Sequence, residues 1–127
     1  PWQGKLTYAV VQDLAETSTL FANYSTALTT GVIAVQDTSG NQVTEAATDA
    51  ITAYVIVSHG RDRQGATGRN AAIGIACNAA MAEGENCSPI DTVFVDDAIN
   101  DSDTAADYFY DILRRRSYAY LKYLIGM

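Results

Sequence analysis

The strongest pattern along the chain is AITAYVIV, Ala50 to Val57, a run of β-branched and aromatic residues without helical spacing. It predicts a central, well-buried strand. Lys5 to Val11 (KLTYAVV) alternates loosely and predicts a first strand. Gly31 to Asp37 (GVIAVQD) runs into TSGN and resumes as QVT, the pattern of a hairpin. Asp91 to Asp97 (DTVFVDD) predicts another short strand. Ala106 to Ser117 (ADYFYDILRRRS) places Tyr108, Tyr110 and Ile112 on one face and Phe109, Asp111 and Leu113 on the other, so it too reads as a strand.

Between these strands the signal is mixed. Asp13 to Leu28 reads as a loop with a helical turn, in which Asp13 is placed to cap a helix with Glu16 three residues on. Asn70 to Gly84 has helical composition interrupted by Gly74 and Gly84, which predicts a short helix or an irregular excursion. The end of the chain, Tyr118 to Met127, offers Tyr120, Leu121, Leu124 and Ile125 as one stripe of a terminal helical turn. The sum is an α+β domain: an antiparallel sheet with long, decorated connections and a short C-terminal helical turn. Such a sheet needs a cover on its other face.

Length bounds this to one domain, because 127 residues support a single modest core. A formal charge of −7, from 8 basic and 15 acidic residues, repels phosphate backbones and anionic surfaces, so no nucleic-acid partner is expected. There is no run of 18 apolar residues long enough to span a bilayer. The chain opens in mid-pattern on PWQGKLTYAV, with neither an initiator Met nor a charged-then-apolar leader, and reads as a piece of a longer precursor. Cys77 and Cys87 flank NAAMAEGEN without the further ligands of a zinc site. A disulfide closing that loop is the favoured reading, worth about 2–3 kcal/mol in the chain-entropy model; two buried free thiols are the alternative. The disulfide implies a periplasmic or extracellular setting.

The candidate chemistry is sparse. Ser58 and His59, the latter the chain's single histidine, sit at the end of the central strand, where adjacent side chains point to opposite faces. The G-x-S-x-G elbow is absent, so a strand-end histidine held by hydrogen bonds is favoured over a Ser58–His59 hydrolase pair. The segment GRDRQGATG lacks both the Lys-Ser/Thr of a phosphate loop and the spacing of a dinucleotide fingerprint. Gly60, Gly65 and Gly68 are instead expected to supply backbone angles that side chains forbid. No catalytic residue and no cofactor is assigned. Asp97, Asp101 and Asp103 in the acidic run 96–107 are calcium candidates, but the Gly and distal Glu of an EF-hand are missing and a solvated acidic loop is the default. Arg61, Arg63, Arg114, Arg115 and Arg116 are candidate subunit contacts; on a strand, Arg115 faces away from its two neighbours.

Three blocks, in order, carry a family resemblance. PWQGKLTYAV resembles the D-P-W-G-x-x-L-x-Y entry into the sheet of type IV pilins and type II secretion pseudopilins. AYVIVSHGRDRQGA, from Ala53 to Ala66, resembles the V-I-S-H-G-K-N-G-x-G-A segment of a group of bacterial pilin-like proteins. TVFVDD, followed by DYFYDILRRRS, is similar to the closing strands of that group. The chain departs from it at Gln3, in a longer Arg61–Gly65 loop, at Tyr110-Asp111 and at Arg116. The resemblance implies a pilin head whose apolar N-terminal helix precedes Pro1, anchors it in the inner membrane, and later packs in a filament of pilin subunits. It implies a non-enzymatic structural subunit, found at the inner membrane and periplasm before assembly and in an extracellular pilus afterwards. A minor or tip pilin, a calcium-dependent adhesin and a secretion pseudopilin are the alternatives.

Overall fold

Seven residues of alternating size, Thr52–Ser58, form the strand on which everything else is organised. Its inward side chains Ala53, Val55 and Val57 are wholly buried, and Tyr54, Ile56 and Ser58 on the other face are half-buried. In the computed structural model, which describes residues 6–15, 32–43, 51–60, 63–66, 76, 78, 80–87, 92–100 and 109–126, this strand is the third in chain order. The described elements are β1 (Thr7–Val10), α1 (Gln12–Ala15), β2 (Ala34–Gln36), β3 (Thr52–Ser58), a 3-10 helix (Ala82–Cys87), β4 (Val93–Val95), β5 (Ile112–Ser117) and α2 (Tyr118–Leu124).

β1, β3 and β5 make an antiparallel sheet with β3 in the middle. Tyr8 pairs with Ile56 and Ile56 with Arg114, while Val10 pairs with Tyr54 and Tyr54 with Arg116. The β3–β5 register slips between Thr52 and Tyr54, since Thr52 already faces Ser117. One extra residue on β3 there bends the strand. β2 and β4 form a second, two-stranded parallel ladder, Ala34 to Val93, Val35 to Phe94 and Gln36 to Val95. It joins the larger sheet through a bridge from Ile33 to Thr52.

The core lies between the two. Val11, Leu14, Ile33, Val35, Ala53, Val55, Val57, Phe94, Leu113 and Tyr118 form one buried cluster. Each such apolar side chain contributes about 1.5–3 kcal/mol by leaving water. α2 enters it through Tyr118, capped by Ser117, whose Oγ accepts from Tyr120 N at 3.2 Å.

The domain is therefore α+β, with an antiparallel sheet and a short C-terminal helix, as the pattern of the chain predicts. Four details differ. The TSGN turn is present: Asp37 accepts from Ser39 N (2.9 Å), Asn41 N (2.8 Å) and Asn41 Nδ2 (2.9 Å), with Gly40 at φ +82°. Its returning arm, however, makes only the Gln36–Gln42 bridge and a bond from Val43 N to Val35 O. The ladder partner of β2 is β4, and parallel, because Phe94 and Val35 reach the core only when the two strands lie side by side. Asp13 lies inside the single turn of α1 rather than ahead of it. Gly84 does not break the 3-10 helix but sits within it. Finally, the inward stripe of α2 is Tyr118 and Leu121, leaving Tyr120, Leu124 and Ile125 exposed, because Ser117 starts the helix with Tyr118 already turned to the core.

Candidate functional site

Two places draw the functional residues together: a buried polar knot at one end of β3, and the face of the sheet turned away from the core.

The knot is centred on His59, at the end of β3. Its ring is buried, with Nε2 sharing a 2.7 Å hydrogen bond with Thr7 Oγ1 of β1, and Nδ1 3.6 Å from Asp111 Oδ2 just ahead of β5. His59 thus ties the middle strand to β1 and faces the Asp111 carboxyl ahead of β5, and its carbonyl accepts from Arg63 N at 3.0 Å to turn the chain away. Gly60 makes this possible. It has φ +44°, and a Cβ there would lie 2.3 Å from Tyr110 O, so only glycine lets β3 and the start of β5 come so close. Tyr110 N in turn donates to Glu83 Oε2 at 3.0 Å. Three residues on, Asn86 donates from Nδ2 to Val95 O (2.9 Å) and accepts at Oδ1 from Val95 N (2.8 Å). Positions three apart eclipse one another on a 3-10 helix, which puts the buried Glu83 and Asn86 on one face, each holding a different backbone segment.

Hydroxyl, imidazole and carboxylate stand here in the order of a hydrolase triad, with Thr7 in the nucleophile's place. The imidazole side chain is only 1% exposed, and the first need of such a site, a substrate within reach of the base, is not met. Ser58 is on the opposite face of the strand, so no Ser58–His59 pair forms. The knot holds strands together.

No protein-family model matches the chain, and no curated protein or solved structure does either.

The second place is the outer face of the sheet. Leu6 and Tyr8 are 62% and 60% exposed and Ile112 is 38% exposed, beside the half-buried Val10, Tyr54 and Ile56. The Tyr8 and Tyr54 rings lie 6.2 Å apart, tilted by 44°. A solvated sheet face normally alternates to polar side chains; this one is apolar over β1 and β3. At its β5 edge the Arg116 guanidinium lies 5.2 Å from the centre of the Tyr120 ring of α2.

The arginines divide between the faces. Arg114 and Arg116 are exposed on the outer face, whereas the half-buried Arg115 turns the other way and pairs with Asp96 at 3.8 Å. Burial pushes the Asp96 carboxyl above its ordinary value, against the pull of Arg115 and Arg114. Arg63 is exposed in the loop after Gly60 at φ +60°; Arg61 lies outside the described residues, as does Gly68.

Asp97 is committed to structure. Its Oδ2 accepts from Thr38 Oγ1 (2.6 Å) and Thr38 N (3.0 Å), and its Oδ1 from Ala98 N (2.7 Å), bonds that hold its carboxyl below the ordinary range. Asp101 and Asp103 lie outside the described residues. A groove of about 250 Å³ is lined by Asp96, Asp97, Asp111, Ile99 and Arg114, yet among the described residues no set of three acids, histidines or cysteines is arranged to hold a metal. Cys87 is disulfide-bonded at the end of the 3-10 helix; Cys77, the chain's other cysteine, lies outside the described residues. No helix among the described residues is long and apolar enough to cross a membrane.

Proposed function

We propose that this chain is the globular head of a filament-forming structural subunit of the type IV pilin kind. The observation that supports it is the outer face of the β1-β3-β5 sheet: Leu6, Tyr8, Val10, Tyr54, Ile56 and Ile112 make an apolar platform that a long helix can lie across. A subunit of this kind polymerises through such helices, and its head adds contacts at the filament surface. The mechanism asks for rigidity rather than reactivity, and the His59 knot supplies rigidity where the strands meet the loops. On this reading the partners are further pilin subunits, and the inner membrane before assembly. Arg61, Arg63, Arg114 and Arg116 are its candidate head-to-head charges.

The test has two parts. The reading frame upstream of the Pro1 codon should encode a leader, a cleavage site and an apolar helix; a cleavable secretory signal directly before the domain would overturn the reading. In cells producing that full frame, Tyr8→Lys together with Ile56→Lys should abolish filaments seen by electron microscopy, while the purified variant head unfolds at an unchanged temperature. Filaments that persist in that variant would also overturn it.

A further inference from the structure

β1 is the outermost strand of its sheet, and the direction of its backbone groups follows from one bond, Val11 N to Ala53 O at 3.0 Å. The register sets Ala9 opposite Val55 and Val10 opposite Tyr54, and one step further sets Val11 opposite Ala53. Opposed residues of an antiparallel pair alternate between bonded and non-bonded. Thr7, Ala9 and Val11 therefore direct their N–H and C=O groups to β3. Those of Tyr8 and Val10 point the other way, to the rim of the sheet, where among the described residues no strand lies. Tyr8 is also 60% exposed. The stretch from Leu6 to Val11 contains no charge, proline or glycine, the devices by which a rim strand is kept from pairing. The strand on the opposite rim, β5, differs in that respect, since it carries Arg114, Arg115 and Arg116.

We propose that β1 pairs antiparallel with β1 of a second copy of this chain, about a two-fold axis through Ala9, so that two three-stranded sheets join into one. In that register Tyr8 of one copy stands opposite Val10 of the other, and the same pair recurs across the axis. Each outward N–H then donates to an outward carbonyl, and none of these groups is left over. The strand is its own complement, as a two-fold contact requires. On the outer face the pair is an aromatic against a β-branched side chain, a favourable cross-strand combination. Ala9, a small residue, occupies the non-bonded position on the axis, where opposed strands come closest. Charge selects this rim over the other. Both copies carry a formal −7, so their contact must keep like charges from facing one another. β1 does so, whereas pairing through β5 would set arginine against arginine. The inference concerns the rim of the sheet rather than its outer face, and it stands apart from the filament reading.

The test uses the 127-residue chain. Sedimentation velocity between about 5 μM and about 500 μM should show monomer giving way to dimer, with a dissociation constant on the order of 100 μM, as suits a contact smaller than the standard interface. Amide exchange followed by NMR supplies the address. Between the two ends of that range it should slow roughly fourfold at Tyr8 and Val10, by mass action, and stay unchanged at Thr7 and Ala9. Val10→Pro removes an outward N–H while leaving the bonds to β3 in place, a change that a rim strand tolerates. This variant should remain monomeric at about 500 μM, with the urea midpoint of the parent chain. If it does not fold, the exchange pattern of the parent decides. A chain that stays monomeric throughout overturns the proposal. So does a dimer that survives Val10→Pro, or one that forms while exchange at Tyr8 and Val10 is unaltered. Filament formation in cells reads the subunit function separately, and neither result stands in for the other.

Discussion

The two faces of β3 differ by one residue of phase and by everything that follows from it. Val55 and Val57 look into a core of aliphatic and aromatic side chains closed by Phe94, Leu113 and Tyr118. Tyr54 and Ile56, their chain neighbours, look out across a platform flanked by Arg114 and Arg116. The inner face is closed over apolar side chains. Even its polar members have roles, since His59 fastens β1 to β3 and Asn86 fastens the 3-10 helix to β4. The outer face leaves Leu6, Tyr8 and Ile112 in water beside two exposed arginines. The lesson is that burial alone separates what holds this domain together from what it offers to others.

The comparison breaks most readily at Gly60. Gly60→Ala places a Cβ 2.3 Å from Tyr110 O at a positive φ and should cost about 2–4 kcal/mol in urea denaturation. A loss under 1 kcal/mol would mean that the close approach of β3 and the β5 entry relaxes easily. Next is Asn86→Ala, which strips Val95 of both backbone partners in a buried place; a loss of about 2–3 kcal/mol is expected by the same melt. The faces themselves are contrasted by Val57→Ala and Tyr8→Ser. The first opens a void in the core and should cost about 2 kcal/mol, and the second should change stability of the purified head by no more than about 0.5 kcal/mol. If both cost the same, the outer face is not the free surface described above.

The smallest effect is on pH. The Asp37 and Asp97 carboxyls are held below their ordinary value of 3.8, Asp37 by the side chain and backbone of Asn41 and by Ser39, Asp97 by the Thr38 hydroxyl and the Thr38 and Ala98 amides. Groups lowered in this way stabilise the fold above that ordinary value, and the contribution disappears as pH falls through the lowered value. Asp96, raised mainly by burial, acts in the opposite sense and relieves strain when it takes up a proton. Thermal melts between pH 5 and pH 2 should therefore show the turn at 37–41 loosening only below about pH 4, and Asp97→Asn should flatten that slope.

Much of this was legible in the chain. AITAYVIV announced the central strand, and the alternation put Phe109, Asp111 and Leu113 on one face, which the structure buries. That alternation does not say why a carboxylate stands between Phe109 and Leu113; the reason comes only when His59 arrives from a strand more than fifty positions earlier. Local patterns carry no information on such pairings. The parallel β2–β4 ladder was hidden for the same reason: TSGN specifies a turn, but three-residue strands are placed by what covers them, here Phe94 and Ile33. Glu83 and Asn86 were hidden because Gly84 reads as a breaker of the short helix, and their shared face shows only when the three-residue spacing is laid on a 3-10 helix. The helical stripe at the C-terminus went astray by the angle at which Ser117 launches α2.

Asn86 has one more consequence. By taking both the donor and the acceptor of Val95, a side chain occupies the place where a neighbouring strand would otherwise dock along β4. Unsatisfied strand edges are where chains zip together without control. Along β4 that route is shut by one side chain, which guards the domain against amyloid-like pairing.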